Sequence, residues 1–132
     1  MKENLIKEKS YQFALKIISL YQSMVEKREF VLSKQLLRSG TSNGANVEEA
    51  LAGQSRADFL SKMSIASKEA SECNYWLRLI RDSNLVIENE IEPYLEESDA
   101  ILRILTSIVK STHENIIQNQ KFKIKNRKIL NF

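Results

Sequence analysis

The side chains best suited to chemistry are few, and their spacing matches no common catalytic or metal-binding arrangement. His113 is the one histidine in the chain, so a site built from two histidines cannot form within it. Glu114 follows it as in the helical zinc motif His-Glu-x-x-His, but Ile117 stands where the second histidine is needed. Lys110 likewise occupies the position of the glutamate in a di-iron Glu-x-x-His pair. These positions predict no metal site.

The remaining candidates for catalysis are a single thiol, a glycine-containing segment and pairs of carboxylates. Cys73 is the only cysteine and has no basic neighbour in sequence, so we interpret it as a small buried apolar residue. Residues 40–44 lack the spacing and the Lys-Ser/Thr ending of a phosphate-binding loop. Glu69 and Glu72 could meet at a subunit contact, but surface helices carry such pairs routinely. We therefore predict no catalytic residue, no cofactor and no small-molecule substrate, and expect that the protein is not an enzyme.

The elements that would position these residues are predicted to be long helices. Only three Gly and one Pro interrupt 132 residues, and apolar residues recur at steps of three and four. A first helix is predicted over about 5–25 and a third over about 56–82. The third carries an alternating seam of Phe59, Met63, Ala66, Ala70, Cys73, Leu77 and Ile80. The predicted fold class is all-α, an antiparallel up-and-down four-helix bundle.

The second element, about 32–52, is ambiguous because residues 39–46 have the composition of a loop. A helical wheel nevertheless places Gly40, Asn43 and Gly44 on the apolar face. Small residues there would let a neighbouring backbone approach closely. We favour one continuous helix, ended by Gly53 and followed by a capping-box-like start at Ser55.

The fourth helix is predicted to begin at Pro93, in its first turn, after a linker over residues 83–92. Glu96 and Glu97 would then lie near the positive end of the helix dipole. Its inner face is predicted to comprise Tyr94, Ile101, Leu105, Ile108, Val109 and Ile116.

Residues 119–132 are predicted to form a basic C-terminal tail that follows a bundle of residues 1–118. These last 14 residues hold five of the 20 basic groups and no acidic group, in a chain of net charge +3. Lysine and apolar residues alternate there with period two, which favours an extended segment docked on a surface over a fifth helix. The cations are candidates for nucleic-acid contact: Lys121, Lys123, Lys125, Arg127 and Lys128.

Location and self-association follow from apolar patterning. No apolar run is long enough to cross a bilayer and no signal-peptide pattern is present, so we expect a cytoplasmic protein without membrane contact. On the third helix, Ile65, Tyr75, Trp76 and Leu79 cluster away from the seam, among charged residues. Such patches usually mark contact sites, and we predict an oligomer interface here. The alternative is that a loop or the tail covers the patch within one chain.

The run from Gln35 to Ala50 also carries a family resemblance. Together with Asp58-Phe59, Ile65-Ala66 and Tyr75-Trp76-Leu77, it resembles the four-helix bundle proteins of the 23S rRNA intervening-sequence family, over roughly residues 5–117. The resemblance implies an antiparallel bundle that assembles into a ring, as a homopentamer. It also implies kinship with the accessory protein of diversity-generating retroelements, a basic pentamer that binds nucleic acid and a reverse transcriptase.

One position departs from the family pattern: Asn43 stands where an apolar residue such as Ile is usual. We predict that Asn43→Ile raises the thermal midpoint without changing the assembly state. Ser42, Asn46 and Glu49 match the pattern and lie beside Asn43 on the helical wheel. We favour a polar network that fixes helix register, with a ligand or interface site as the alternative.

Two functions remain in view. The chain is predicted to be a non-enzymatic homo-oligomer, a scaffold or adaptor ring that associates with RNA or DNA through its basic segments. The alternative is a structural ring whose partner is another protein and which makes no nucleic-acid contact. Binding that weakens steeply with salt would favour the first.

Overall fold

Four helices account for most of the chain in a computed structural model that describes residues 2–86 and 88–130. They are α1 (Lys2–Glu26), α2 (Leu32–Leu51), α3 (Arg56–Asp82) and α4 (Glu88–Leu130). Each helix packs against two neighbours in the cyclic order α1, α2, α3, α4, and the described residues show no diagonal backbone contact. The predicted up-and-down four-helix bundle is confirmed. Ile87 of the predicted linker and the last two residues of the predicted tail lie outside the described residues.

The core of the bundle forms from the predicted apolar stripes. On α1, buried residues recur at steps of four and three from Ile6 to Met24, which keeps them on one side of the helix. All seven predicted seam residues of α3 are buried. On α4, Ile101, Leu105 and Ile108 are buried as predicted, and Ile91 and Leu95 extend the stripe towards its start.

The predicted continuity of α2 is confirmed, and its glycines mark a close approach to α1. A Cβ atom on Gly40 would lie 2.7 Å from Ile17 Cγ2, and one on Gly44 would lie 3.3 Å from the backbone oxygen of Ser10. Both distances are shorter than ordinary van der Waals contact. Close packing of the two helices therefore compensates for the poor helix propensity of this segment.

Helix ends are fixed by local hydrogen bonds, some of which the sequence did not reveal. Ser55 Oγ accepts the backbone N–H of Asp58 at 3.0 Å, as the capping prediction requires. Arg28 and Asn84 adopt positive φ angles of 64° and 60° and end α1 and α3 without a glycine. At the first of these ends, the N–H of the following residue donates to a carbonyl five residues back, which is the Schellman arrangement.

The start of α2 is capped by Glu29, which lies two residues before the N-cap Val31. Its carboxylate accepts the backbone N–H groups of Val31, Leu32 and Ser33 at 3.3, 3.0 and 2.8 Å. Burial raises the pKa of Glu29, but these backbone donors outweigh it and hold the pKa below its ordinary value. The charged segment between α1 and α2 thus also caps α2.

The predicted start of the fourth helix at Pro93 is wrong. Helix α4 begins at Glu88, so Pro93 is its sixth residue, and Glu96 lies more than two turns in. As the sixth residue, Pro93 cannot donate to the carbonyl of Asn89, and its ring crowds that carbonyl, but the disturbance is confined to the first two turns of the helix. The acidic residues that precede Pro93 favour the positive end of the helix dipole and offset that loss.

The predicted extended, docked tail is also wrong. Helix α4 continues without interruption through residues 119–130, and every side chain described there is exposed. An extended segment docked on a protein surface needs partners for the backbone N–H and C=O groups that docking removes from water, and the helical bundle offers no sheet edge to supply them. A helix satisfies those groups internally, so the period-two alternation of side chains is overridden.

Candidate functional site

A row of polar contacts crosses the groove between α2 and α3. Arg38 of α2 reaches two carboxylates of α3: its Nη1 lies 2.9 Å from Glu69 Oε2, and its Nη2 contacts Glu72. Ser42 Oγ donates to Glu69 Oε2 at 3.0 Å, and the indole N–H of Trp76 donates to Glu72 Oε2 at 3.1 Å. The two carboxylates are therefore held in place by donors on both helices. This arrangement binds the helices to each other and leaves no free base or nucleophile.

The predicted interface residues lie on α3 beside this row. Tyr75 and Leu79 are 46% and 37% exposed, and between them Trp76 is half-buried against the core. The Tyr75 and Trp76 rings meet edge to face with centroids 5.1 Å apart. Ile65 is 39% exposed on the same side but lies about 15 Å further along the helix axis. The structure thus groups three of the four residues, which we call the α3 patch.

The α3 patch is not covered by the C-terminal segment, which was the predicted alternative. Helix α4 packs against α1 and α3 and then continues beyond Thr112, its last buried residue, without turning back. Residues 119–129 are exposed along their whole length. An apolar surface therefore remains open on α3, bordered on the α2 side by Arg38, Glu69 and Glu72, which pair with one another.

The predicted polar network on α2 divides into two parts. Ser42 belongs to the row described above, Asn46 Nδ2 donates to the backbone oxygen of Ser42 at 2.9 Å, and Glu49 lies 3.1 Å from Lys62 Nζ on α3. These three residues lie on the α3 side of the helix and help to fix its register. Asn43 is separate from them, since its side chain faces the core.

Asn43 is fully buried and its amide is only half satisfied. Nδ2 donates to the backbone oxygens of Ser39 and Gly40 at 3.2 Å each, within its own helix. Oδ1 has no hydrogen-bond partner among the described residues. An unpaired buried acceptor costs about 1–3 kcal/mol. The helical wheel placed Asn43 on the apolar face of α2, and its side chain does face the core.

Cys73 and His113, the two side chains of the chain that most often take part in catalysis or metal binding, lie in opposite surroundings. Cys73 is buried. Burial raises the pKa of its thiol and a hydrogen bond with the Ser39 side chain partly opposes this effect, so that the pKa is about 12. His113 is exposed on α4, close to the point where the helix leaves the bundle. Among residues 2–86 and 88–130, no group of three or more His, Cys, Asp or Glu side chains could hold a metal ion.

A second polar contact, between α3 and α4, was missed by the sequence analysis. Asn74 Nδ2 donates to Ser98 Oγ at 3.1 Å and to Asp99 Oδ1 at 2.9 Å. Arg78 Nε in turn donates to Asn74 Oδ1 at 3.1 Å. Asn74 directly follows the seam residue Cys73. An amide side chain at the edge of an apolar seam indicates a buried hydrogen bond to a neighbouring helix, and this pattern could have revealed the contact. The satisfied amide locks the pairing of α3 with α4.

A groove between α1 and α4 has a volume of about 510 Å³. Leu20, Val86 and Tyr94 contribute its apolar lining, and an ion pair between Lys16 Nζ and Glu97 Oε2 borders it at 2.8 Å. Glu90 and the polar side chains of Ser19, Ser23 and Asn89 also line the groove.

The predicted nucleic-acid contacts are all exposed on the last turns of α4. Lys121, Lys123, Lys125, Arg127 and Lys128 follow a stretch without a buried residue, and no acidic side chain lies between residues 115 and 130. In the described part of the chain, none of the helices is both long and apolar enough to span a bilayer.

Both a protein family and a solved structure are similar to this chain. The family model described as 23S rRNA-intervening sequence protein matches residues 2–107. A solved structure of a protein of unknown function from the S23 ribosomal protein family of Bacteroides thetaiotaomicron VPI-5482 is 49% identical, with a TM-score of 0.80. That match covers 83% of this chain and 99% of the Bacteroides chain. No curated protein matches the sequence. Residues 108–132, which include the exposed cations, lie outside the family match.

Proposed function

This chain belongs to the 23S rRNA-intervening sequence protein family, and from that premise we propose that it is a non-catalytic bundle that assembles with copies of itself and associates with nucleic acid. In this proposal the assembly is a scaffold or adaptor ring in the cytoplasm. A homopentamer is the subunit number that the family resemblance suggests.

The α3 patch is the observation that carries the self-assembly. Tyr75 and Leu79 expose apolar surface on either side of Trp76, whose indole N–H is already bonded to Glu72. A second copy could therefore cover the patch without leaving the indole unpaired. Aromatic residues in such positions are enriched at protein interfaces and often supply most of their binding energy.

The neighbouring charges also favour burial at a subunit contact. The Arg38 guanidinium is shared between the Glu69 and Glu72 carboxylates, so contact with a second copy would not strand a single charge. The surface combines an apolar centre with a satisfied polar border, which is the usual anatomy of a specific interface.

The exposed cations of α4 support the nucleic-acid association. Repetition of this basic segment in an assembly would multiply weak phosphate contacts. The competing proposal is a ring that binds another protein and no nucleic acid.

Leu79→Glu tests the assembly. A charge at this position should weaken self-association by about 2 kcal/mol per interface, which is about 30-fold in Kd. Light scattering of the purified full-length protein over a concentration series would measure the shift. Leu15→Glu is the matched control, because Leu15 is 46% exposed on α1, away from the patch. A wild-type monomer, or equal behaviour of the two variants, would contradict the proposed interface.

A salt series tests the nucleic-acid association. Binding of the full-length protein to labelled DNA and RNA should weaken steeply as salt rises, because phosphate contacts release counterions. Undetectable or salt-independent binding would instead support the protein-binding ring.

A further inference from the structure

The end of α4 projects from the bundle as a separate arm. Thr112 is the last buried residue of the helix, and from His113 to Ile129 all side chains are exposed except that of Ile116, which is half-buried. We call residues 113–130 the C-terminal arm. At 1.5 Å per residue the arm is about 27 Å long, roughly the length of eight base pairs of double-helical DNA.

The five cations of the arm form two rows along the helix. Lys121, Lys125 and Lys128 follow the spacing i, i+4, i+7, and Lys123 and Arg127 follow the spacing i, i+4. At 100° per residue the two rows lie about 150° apart around the axis. The shorter arc between them presents Ile117, Gln120 and Ile124. The arm therefore has one face with a polar and apolar centre and cations along both sides.

The same spacing makes the helical arm dependent on a negative partner. Lys121 with Lys125, and Lys123 with Arg127, are like-charge pairs at i, i+4, which destabilise a helix. A helix of this length with no tertiary contacts is only marginally stable in water. A partner with phosphates on both sides of the helix would relieve both repulsions at once.

We propose that the C-terminal arm binds double-stranded DNA by lying in the major groove, an inference that rests on the nucleic-acid association proposed above. The major groove of B-form DNA is about 12 Å wide and admits an α-helix, and its two walls are phosphate backbones. The two cation rows match the two walls. In A-form RNA the major groove is too narrow for this arrangement, so the geometry favours DNA over duplex RNA.

The face between the rows supplies groups suited to the floor of that groove. Gln120 carries an amide that can bond an adenine edge through two hydrogen bonds, and Ile124 offers a methyl surface to a thymine methyl group. Phe122 lies outside this arc. Stacking on single-stranded bases would therefore not use the face that lies between the cations.

Fluorescence anisotropy with the full-length protein tests the proposal. The probes are a 20-base-pair DNA duplex, the RNA duplex of the same sequence and the corresponding single strands. The DNA duplex should bind most tightly. Five phosphate contacts predict a fall of about 500-fold in affinity per arm between 50 and 200 mM salt. Far-UV circular dichroism should show helix content rising when the DNA duplex is added.

Paired variants test whether both rows are used. Lys121→Gln with Lys125→Gln, and separately Lys123→Gln with Arg127→Gln, should each reduce the salt-induced fall to about 40-fold. The matched control removes two exposed lysines of the bundle, Lys27→Gln with Lys34→Gln, and should leave the dependence unchanged.

The contrary outcomes separate this inference from the proposed function. Equal or tighter binding of RNA, or an effect of only one row, would overturn the groove arrangement while nucleic-acid association stands. Absence of binding to every probe would overturn the association and the groove arrangement together.

Discussion

Replacement of Asn43 by an apolar residue should stabilise the protein. The side chain is 0% exposed, and its Oδ1 lacks a partner among the described residues. Its two donor bonds run to carbonyls of its own helix, where backbone partners remain available. Removing the unpaired acceptor should recover about 1–3 kcal/mol of unfolding free energy. For a chain of this size that corresponds to a rise in Tm of about 3–10 °C.

The assay is thermal unfolding of Asn43→Ile and Asn43→Leu at one protein concentration, with light scattering to establish that assembly is unchanged. The leucine variant matches the shape of asparagine and controls for crowding by a β-branched side chain. Asn46→Leu is the matched control, because its amide is only partly buried and donates to Ser42. A lower Tm for both Asn43 variants would refute the reasoning and show that the amide makes a stabilising contact.

Four further perturbations have expected outcomes. Arg28→Gly should raise the free energy of unfolding by about 1 kcal/mol, because a non-glycine residue at φ 64° is strained by about that amount. Denaturant unfolding of the two proteins would measure the difference. Gly40→Ala should lower the unfolding free energy by about 1–3 kcal/mol through the clash with Ile17. Because Ile17→Ala itself leaves a cavity in the core, the double variant should lose less stability than the sum of the two single losses, which a double-mutant cycle would measure. The pKa of Glu29 is lower in the folded state than in the unfolded state, so its ionised carboxylate stabilises the fold at pH values above the unfolded-state pKa. This stabilisation is lost as the pH falls through the folded-state pKa. Glu29→Gln should therefore make the free energy of unfolding less dependent on pH on the acid side. Cys73 should resist alkylation at pH 8 until denaturant is added, because its thiol is buried. Since the pKa of this thiol is higher in the folded state than in the unfolded state, the free energy of unfolding should decline as the pH rises above about 9.

The helical fold was predictable because the spacing of apolar residues and the capping residues indicate the same helix boundaries along most of the chain. The seam of α3 and the Ser55 cap needed no knowledge of neighbouring helices, since both are local patterns. The continuity of α2 was harder, because Gly40 and Gly44 are favourable only when α1 lies close by. Local propensity and tertiary packing pointed in opposite directions there, and packing decided the outcome.

The errors at α4 have a shared physical origin. Pro93 and the alternation after Lys121 are both strong local signals, and both were given more weight than the helical pattern around them. The predicted all-α fold already implied that no sheet edge would be available to an extended tail, and the period-two alternation conflicted with that prediction.

The candidate site was predictable in its parts but not in its contacts. The sequence indicated the exposed aromatic cluster on α3, whereas the bridge from Arg38 to Glu69 joins residues 31 positions apart. Such a contact depends on the register between two helices, which hydrophobic period does not specify.

The unbroken course of α4 through the bundle and into the arm has a mechanical consequence. With no proline or glycine after Pro93, the described helix has no hinge residue at Thr112, so an arm whose helix is stabilised by a bound partner moves with the segment packed in the core. A tilt of about 10° at the base would swing the tip by about 5 Å. A force on the tip of the arm is therefore transmitted along the helix to the contacts between α4 and α1, including the ion pair of Lys16 with Glu97.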